Sequence, residues 1–189
     1  MRPRDDAPEI CYTQPWKCDP RYFECPLVVQ TGNGPWHFTT LNDGVRFDLN
    51  GDGTRERTAW TAADSSLAFV ALDRNGNGSI DDGRELFGEQ NGDANGFAAL
   101  AQHDDNGDGV IDARDTVWTR LVLWRDGNQN GRSETAELQP VSATLLALHT
   151  RHHPLNRRDP NGNILRFQSL LQYAAGNTQP YDDVYLRID

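Results

Sequence analysis

LDRNGNGSIDDGRELFG, residues 72–88, places oxygen-bearing side chains at Asp73, Asn75, Asn77, Ser79 and Asp81, with Gly76 and Gly78 threaded between them. In a tightly curled loop alternate side chains converge on one point, and a hard divalent cation seeks roughly six to eight oxygens around such a point. The demanding frame has oxygens at the first, third, fifth, seventh (a backbone carbonyl), ninth and twelfth positions, with glycine at the sixth. Asp73, Asn75, Asn77, Gly78, the Ser79 carbonyl and Asp81 meet it. The twelfth position is Arg84; the closing carboxylate follows at Glu85, with Asp82 as a second acid within reach of a short slip.

Three further stretches repeat the frame. Residues 104–115 satisfy it throughout, with Asp104, Asn106, Asp108, Asp112 and Asp115 as ligands, Gly109 at the turn, the Val110 carbonyl at the seventh position and an apolar Ile111 facing the core. Residues 126–137 supply Asp126, Asn128, Asn130, Gly131, the Arg132 carbonyl, Glu134 and Glu137, whose two oxygens can both bind. Residues 48–56 open with Asp48, Asn50, Asp52, Gly53, the Thr54 carbonyl and Glu56. Ala59 stands at the twelfth position there, so this loop must borrow a ligand, use water or bind weakly.

Asn-Gly and Asp-Gly are also the commonest tight-turn pairs, and Asn33-Gly34, Asn91-Gly92 and Asn161-Gly162 read as plain turns. A turn does not need alternating oxygens over twelve residues closed by a carboxylate. The four loops are therefore read as EF-hand-type sites for roughly two to four Ca2+ ions.

The chain carries 28 acidic against 18 basic residues, a net charge of −10, which argues against nucleic acid or an anionic membrane as partner. Cations are the natural counterpart: the loops hold 15 of the 28 acids, and ions bound there would stabilise the fold by linkage. Asn in place of Asp lowers the charge per site, toward affinities suited to extracellular calcium. No apolar run approaches the ~18 residues of a membrane span, and the expected state is a monomer.

Met1 to Asp6 lacks an apolar signal core. Cys11, Cys18 and Cys25, spaced seven apart with no C-x-x-C pair, favour a disulfide in an oxidising compartment over a soft-metal site, with the pairing open. The protein is expected to be secreted or periplasmic, its sequence beginning after a removed leader.

Residues 1–25 read as a cysteine-containing arm and 26–189 as one calcium-binding domain. Strand patterns fall at 26–29, 36–39, 45–47, 67–72, 121–124, 165–168 and 184–187, and a helical one at 97–101. Each acidic loop is expected to open a short helix. The fold class is α+β: a mixed, mainly antiparallel sheet with short helices and EF-hand-like calcium loops, closed by pairing of the C-terminal with the N-terminal strands.

Several phrases occur together: Pro26-Leu27-Val28, Gly44-Val45-Arg46-Phe47-Asp48, Thr58-Ala59-Trp60, the opening stretch through Glu85-Leu86-Phe87-Gly88, and Asn95-Gly96-Phe97 with Ala99-Leu100. In this combination residues 26–137 resemble the calcium-binding module of secreted bacterial proteins, including the self-processing module of RTX-type proteins. The resemblance implies an EF-hand-like, calcium-dependent fold in which Glu85 at the thirteenth position is a family feature. It also implies an activity, in which calcium-induced folding drives cleavage of an Asp-Pro bond just before the first strand. The Asp carboxylate attacks its own peptide carbonyl and the Pro nitrogen leaves. The pair at that place is Cys25-Pro26, so the scissile Asp is missing; Asp19-Pro20 lies upstream, near the sole lysine, Lys17, and Asp159-Pro160 lies in an Arg-rich turn.

Other chemistry is thin. His149, His152 and His153 read as a surface loop rather than a metal site, and no Ser-centred elbow, phosphate loop or HExxH appears, so an enzyme is disfavoured. Three functions follow: a secreted protein whose fold is held by calcium, a calcium-triggered self-processing module, and a calcium-dependent adhesin or sensor. The lone Met1 counts against the Met-rich grooves of sensors.

Overall fold

A strand that is apolar on both faces belongs inside a sheet, and LAFVAL, β4 (Leu67–Leu72), is buried at every residue. The structure, a computed structural model, describes residues 25–189. Around β4 the chain sets β1 (Leu27–Gln30), β5 (Val110–Asp112), β6 (Leu121–Trp124), β7 (Leu138–Pro140), β8 (Leu145–His149), β9 (His153–Arg158), β10 (Ile164–Tyr173) and β11 (Thr178–Tyr185). Their order is β5-β8-β10-β11-β1-β4-β6-β7, with β9 also paired to β10, and β2 (Val45–Phe47) and β3 (Glu56–Thr58) form a separate hairpin. The C-terminal β11 does pair with β1, through Leu27↔Asp183 and Val28↔Asp182.

The expectation of an α+β fold is overturned: the protein is mostly β, and its described pairings are antiparallel. Among the described residues the one α-helix is α1 (Gly96–Ala101), whose first turn is capped by the Asn95 side chain accepting from Ala98 N–H at 2.9 Å. Where helices were expected to follow the loops, the first loop runs straight into β3 and the others into single 3-10 turns at Gly83–Glu85, Thr116–Thr119 and Thr135–Glu137. The sheet leaves no length for more. Leu86 is already bridged to Ala71, β6 begins at Leu121 and β7 at Leu138. Residues 36–39 contribute only a bridge, Phe38↔Thr61, and the histidine-rich stretch read as a surface loop includes a strand, β9.

Alternation along the central strands divides the interior in two. Leu27, Val29, Ala68, Val70, Leu121 and Leu123 face one core, where Phe97 and Leu100 of α1 pack. Val28, Leu67, Phe69, Ala71 and Trp124 face the other, with Phe47 and Trp60. The second core is aromatic: Trp60 lies 4.6 Å from Phe69, 5.1 Å from Phe47 and 5.5 Å from Trp124, ring centre to ring centre. Each such pair adds about 0.5–1.5 kcal/mol beyond burial. Leu49 and Ile80 from the first and second loops enter this core, whereas Ile111 of the third enters the opposite one.

Phe69 pairs with Val28 on one side and Trp124 on the other, so Phe69→Ala should cost about 3–5 kcal/mol in chemical denaturation. Leu146→Ala, at a side chain 48% exposed, should stay within about 0.5 kcal/mol. Equal losses at the two positions would contradict the assignment of the core.

Candidate metal sites

In all four loops the first aspartate curls its carboxylate over the turn. Oδ2 of Asp48, Asp73, Asp104 and Asp126 accepts the N–H of the sixth-position glycine, Gly53, Gly78, Gly109 and Gly131, at 2.7–2.8 Å. These glycines have φ of +93°, +84°, +84° and +68°, a left-handed backbone that side chains disfavour. Oδ1 of Asn50, Asn75 and Asn106 accepts the fifth residue's N–H at 2.9 Å. The fifth residues, Asp52, Asn77, Asp108 and Asn130, in turn accept from Thr54, Ser79, Val110 and Arg132 at 2.7–3.0 Å. Asn128 instead directs its amide to Glu134 at 3.4 Å.

Closure is shared by three loops. The N–H of the second position, Arg74, Asp105 or Gly127, donates to Glu85 Oε1, Asp115 Oδ1 or Glu137 Oε1 at 2.8–2.9 Å. The ninth-position N–H donates to the other oxygen of Glu85 (Asp81, 2.8 Å) and of Asp115 (Asp112, 2.9 Å). Glu85 therefore does at the thirteenth position what Asp115 does at the twelfth, its longer side chain absorbing the extra residue. Asp82 is turned away, capping the 3-10 turn and pairing with Arg84 at 2.6 Å.

The first loop lacks this closure. Leu49 N–H, its second position, goes to the Phe47 carbonyl at 3.0 Å, and Ala59 is buried. Glu56 is pushed above its usual pKa by burial, with Asp52 and Asp48 adding repulsion. Its neighbours brace the loop: Gly83 N–H donates to the Asp48 carbonyl at 2.8 Å and Arg57 N–H to Asp189 Oδ1 at 3.0 Å.

Among the described residues no three His, Cys, Asp or Glu side chains converge as a ready-made metal cluster. Internal donors lie across the loops. The amides of Asn75 and Asn77 reach Asp81 at 3.1 and 2.6 Å, and that of Asn130 reaches Glu134 at 2.6 Å. In the third loop the Arg114 guanidinium spans Asp108 and Asp112 at 2.6 and 2.7 Å and holds Asp112 below the usual carboxylate range.

In the fourth loop this balance reaches Glu134 and stops short of Glu137. Glu137 is raised by burial and by its contact with the Glu134 side chain, and its Oε2 is buried without a hydrogen-bond partner. Such an oxygen costs free energy until something positive meets it. The donors of these loops are carboxylates, amides and backbone carbonyls, a hard-oxygen set that fits Ca2+ and not a soft metal.

Three supporting residues lie outside the ligand frame and carry no signal as ligands. Trp60 in the aromatic core donates its indole N–H to Asp126 Oδ2 at 2.9 Å, and Ser133 hydrogen-bonds the backbone of Ile80. Gln129 also holds a left-handed φ of +57°, secured by its amide on the Asp43 carbonyl and by Ala63 N–H on its oxygen. Nothing local in the sequence signals these long-range partners.

Two residues before β1, Cys25 is a free, fully buried thiol packed with Ile164 and Tyr185; Cys11, Cys18, Lys17 and Asp19-Pro20 lie outside the described residues. Beside it, Asp183 is wholly buried, accepts Gly96 N–H at 3.0 Å, and is pushed by burial to a pKa of about 7. Asp159, before Pro160, has one oxygen on Asn163 N–H at 2.7 Å and the other on its amide at 2.9 Å. His152 stacks on Phe97 at 4.9 Å, while His149 ends β8 and His153 begins β9.

Residues 27–187 match the family model described as the SPM domain. Over 153 residues the chain is 37% identical to the iron-regulated protein FrpA of Neisseria meningitidis serogroup C, a stretch covering 77% of this chain and 14% of that protein. The chain thus spans only a small part of that relative's length.

Asp183 yields a signed pH dependence. Its folded pKa, about 7 against an ordinary 3.8, means that the fold favours the neutral carboxyl. The associated stability is complete below about pH 4 and is lost as pH rises toward 7. Relative to Asp183→Asn, the wild-type chain should lose stability across that window with a slope approaching about 1.4 kcal/mol per pH unit. Denaturant midpoints for both proteins at fixed ionic conditions measure this, and a difference independent of pH would contradict it.

Proposed function

Since the chain belongs to the SPM domain family, we propose that it is a secreted, monomeric calcium-binding module whose fold is completed by Ca2+ in its EF-hand-like loops. The observation that carries this reading is the buried, unpartnered Oε2 of Glu137 beside Glu134, in a loop whose other oxygens follow the calcium frame. Its support is the common closure by Glu85, Asp115 and Glu137. On this reading the second, third and fourth loops are the principal sites, and the first, without a closing carboxylate, is the weakest.

The chain's own residues do two things here. The sixth-position glycine amides hold all four loops curled, and the closing carboxylates add a second tie in the second, third and fourth. The Asn amides and Arg114 screen the acids and would yield to a cation, which supplies concentrated positive charge that these donors match only in part. Ions that bind the folded chain and not the unfolded one stabilise it by linkage.

Thermal unfolding of chelator-stripped protein, followed by tryptophan emission, tests this. Millimolar Ca2+ should raise the midpoint by roughly 10 °C or more, with little effect of Mg2+. Glu85→Gln, Asp115→Asn and Glu137→Gln should each remove part of the shift, and Glu56→Gln much less. An unchanged midpoint would reduce the loops to turns. The intact mass of the same calcium-treated samples separates self-processing from a purely structural role: a fragment beginning at Pro20 would establish cleavage, and a single whole-chain mass would remove that reading.

A further inference from the structure

The second and fourth loops leave the sheet from opposite ends of one strand pair. β4 and β6 are antiparallel from Leu72↔Leu121 to Phe69↔Trp124, so Asp73 follows one end of the ladder and the fourth loop follows the other. Both loops nevertheless meet at their eighth residues. Ile80 N–H donates to Ser133 Oγ at 2.6 Å, and the Ser133 hydroxyl donates to the Ile80 carbonyl at 3.2 Å. One hydroxyl thus engages both backbone groups of the residue that anchors the second loop in the aromatic core, where Ile80 is 2% exposed. The residues that follow, Asp81 and Glu134, are the ninth-position acids of the two loops.

The third loop is connected differently. Its eighth residue, Ile111, lies in β5, pairs with Leu148 of β8 and packs in the core on the other face. Gly109, its turn glycine, accepts from Thr150 N–H at 3.0 Å.

We infer that the second and fourth loops take up cations as a pair coupled through Ser133, while the third fills independently. The inference rests on the calcium reading above. Ordering Glu134 in the fourth loop fixes Ser133, which fixes Ile80 and presents Asp81; the second ion then meets a loop whose ordering is already complete. Coupling of this kind is reciprocal, each site raising the other's affinity by the same factor.

The test is a Ca2+ titration of the stripped full chain, with the backbone amide shifts of Gly78, Gly109 and Gly131 reporting the three loops separately by NMR. In the wild-type background Asp126→Asn should weaken the Gly78 transition at least about fivefold, and Asp73→Asn should weaken the Gly131 transition by the same factor. In Ser133→Ala these cross-effects should vanish, and in Ser133→Thr, which keeps the hydroxyl, they should return. Asp104→Asn should move Gly109 alone. Cross-effects of equal size in wild type and Ser133→Ala, or no cross-effect in wild type, would overturn the coupling while leaving calcium binding intact. Three glycines indifferent to Ca2+ would overturn the calcium reading itself, and the coupling with it.

Discussion

Carboxylates folded inward must be met by positive charge, and the placement of that charge organises this protein. Every loop answers first with the amide of its left-handed sixth glycine, delivered to the first aspartate at 2.7–2.8 Å. Side-chain amides then reach the ninth-position acids of the second and fourth loops, and a guanidinium those of the third. Such exposed pairs contribute little singly, so the loops are shaped but incompletely compensated. Glu137, with one oxygen buried and unpartnered, marks where compensation stops.

The sheet decides how these loops communicate. Because successive residues of β1, β4 and β6 face opposite sides, the cores are distinct and each loop is tied to one of them. The aromatic core receives Leu49 and Ile80 and sends Trp60 to Asp126, so three loops share one packed foundation. The third loop stands on the other face and is braced by β8 and Thr150.

A second polar concentration lies where the described chain begins. Asp183 on β11 holds the first amide of α1 and lies beside the Cys25 thiol, with burial pushing both groups toward their neutral forms. This joint ties β11, α1 and the entry to β1 without a disulfide at Cys25. Its chemistry is separate from that of the loops, and a neutral carboxyl there spares the interior an uncompensated charge.

The sequence by itself determined the loops, because each frame lies within about a dozen consecutive residues and its geometry follows from alternation and a left-handed glycine. It also marked β2, β4 and β6, whose apolar patterns are local; the expected C-terminal to N-terminal pairing is present, but through Asp182 and Asp183 of β11, ahead of the strand read at 184–187. The expectation of helices after the loops failed because an acidic loop says nothing about how soon the next strand must begin; with β7 starting at Leu138, directly after Glu137, only a 3-10 turn fits. Whether Glu85 closes its loop depended on side-chain reach, which spacing leaves open. Tertiary structure alone brought Trp60 to Asp126 across 66 residues, Ser133 to Ile80 across 53 and Gly96 to Asp183 across 87. Those contacts depend on strand order and on which face each residue takes, and both are settled by the collapse of the whole sheet rather than by any segment within it.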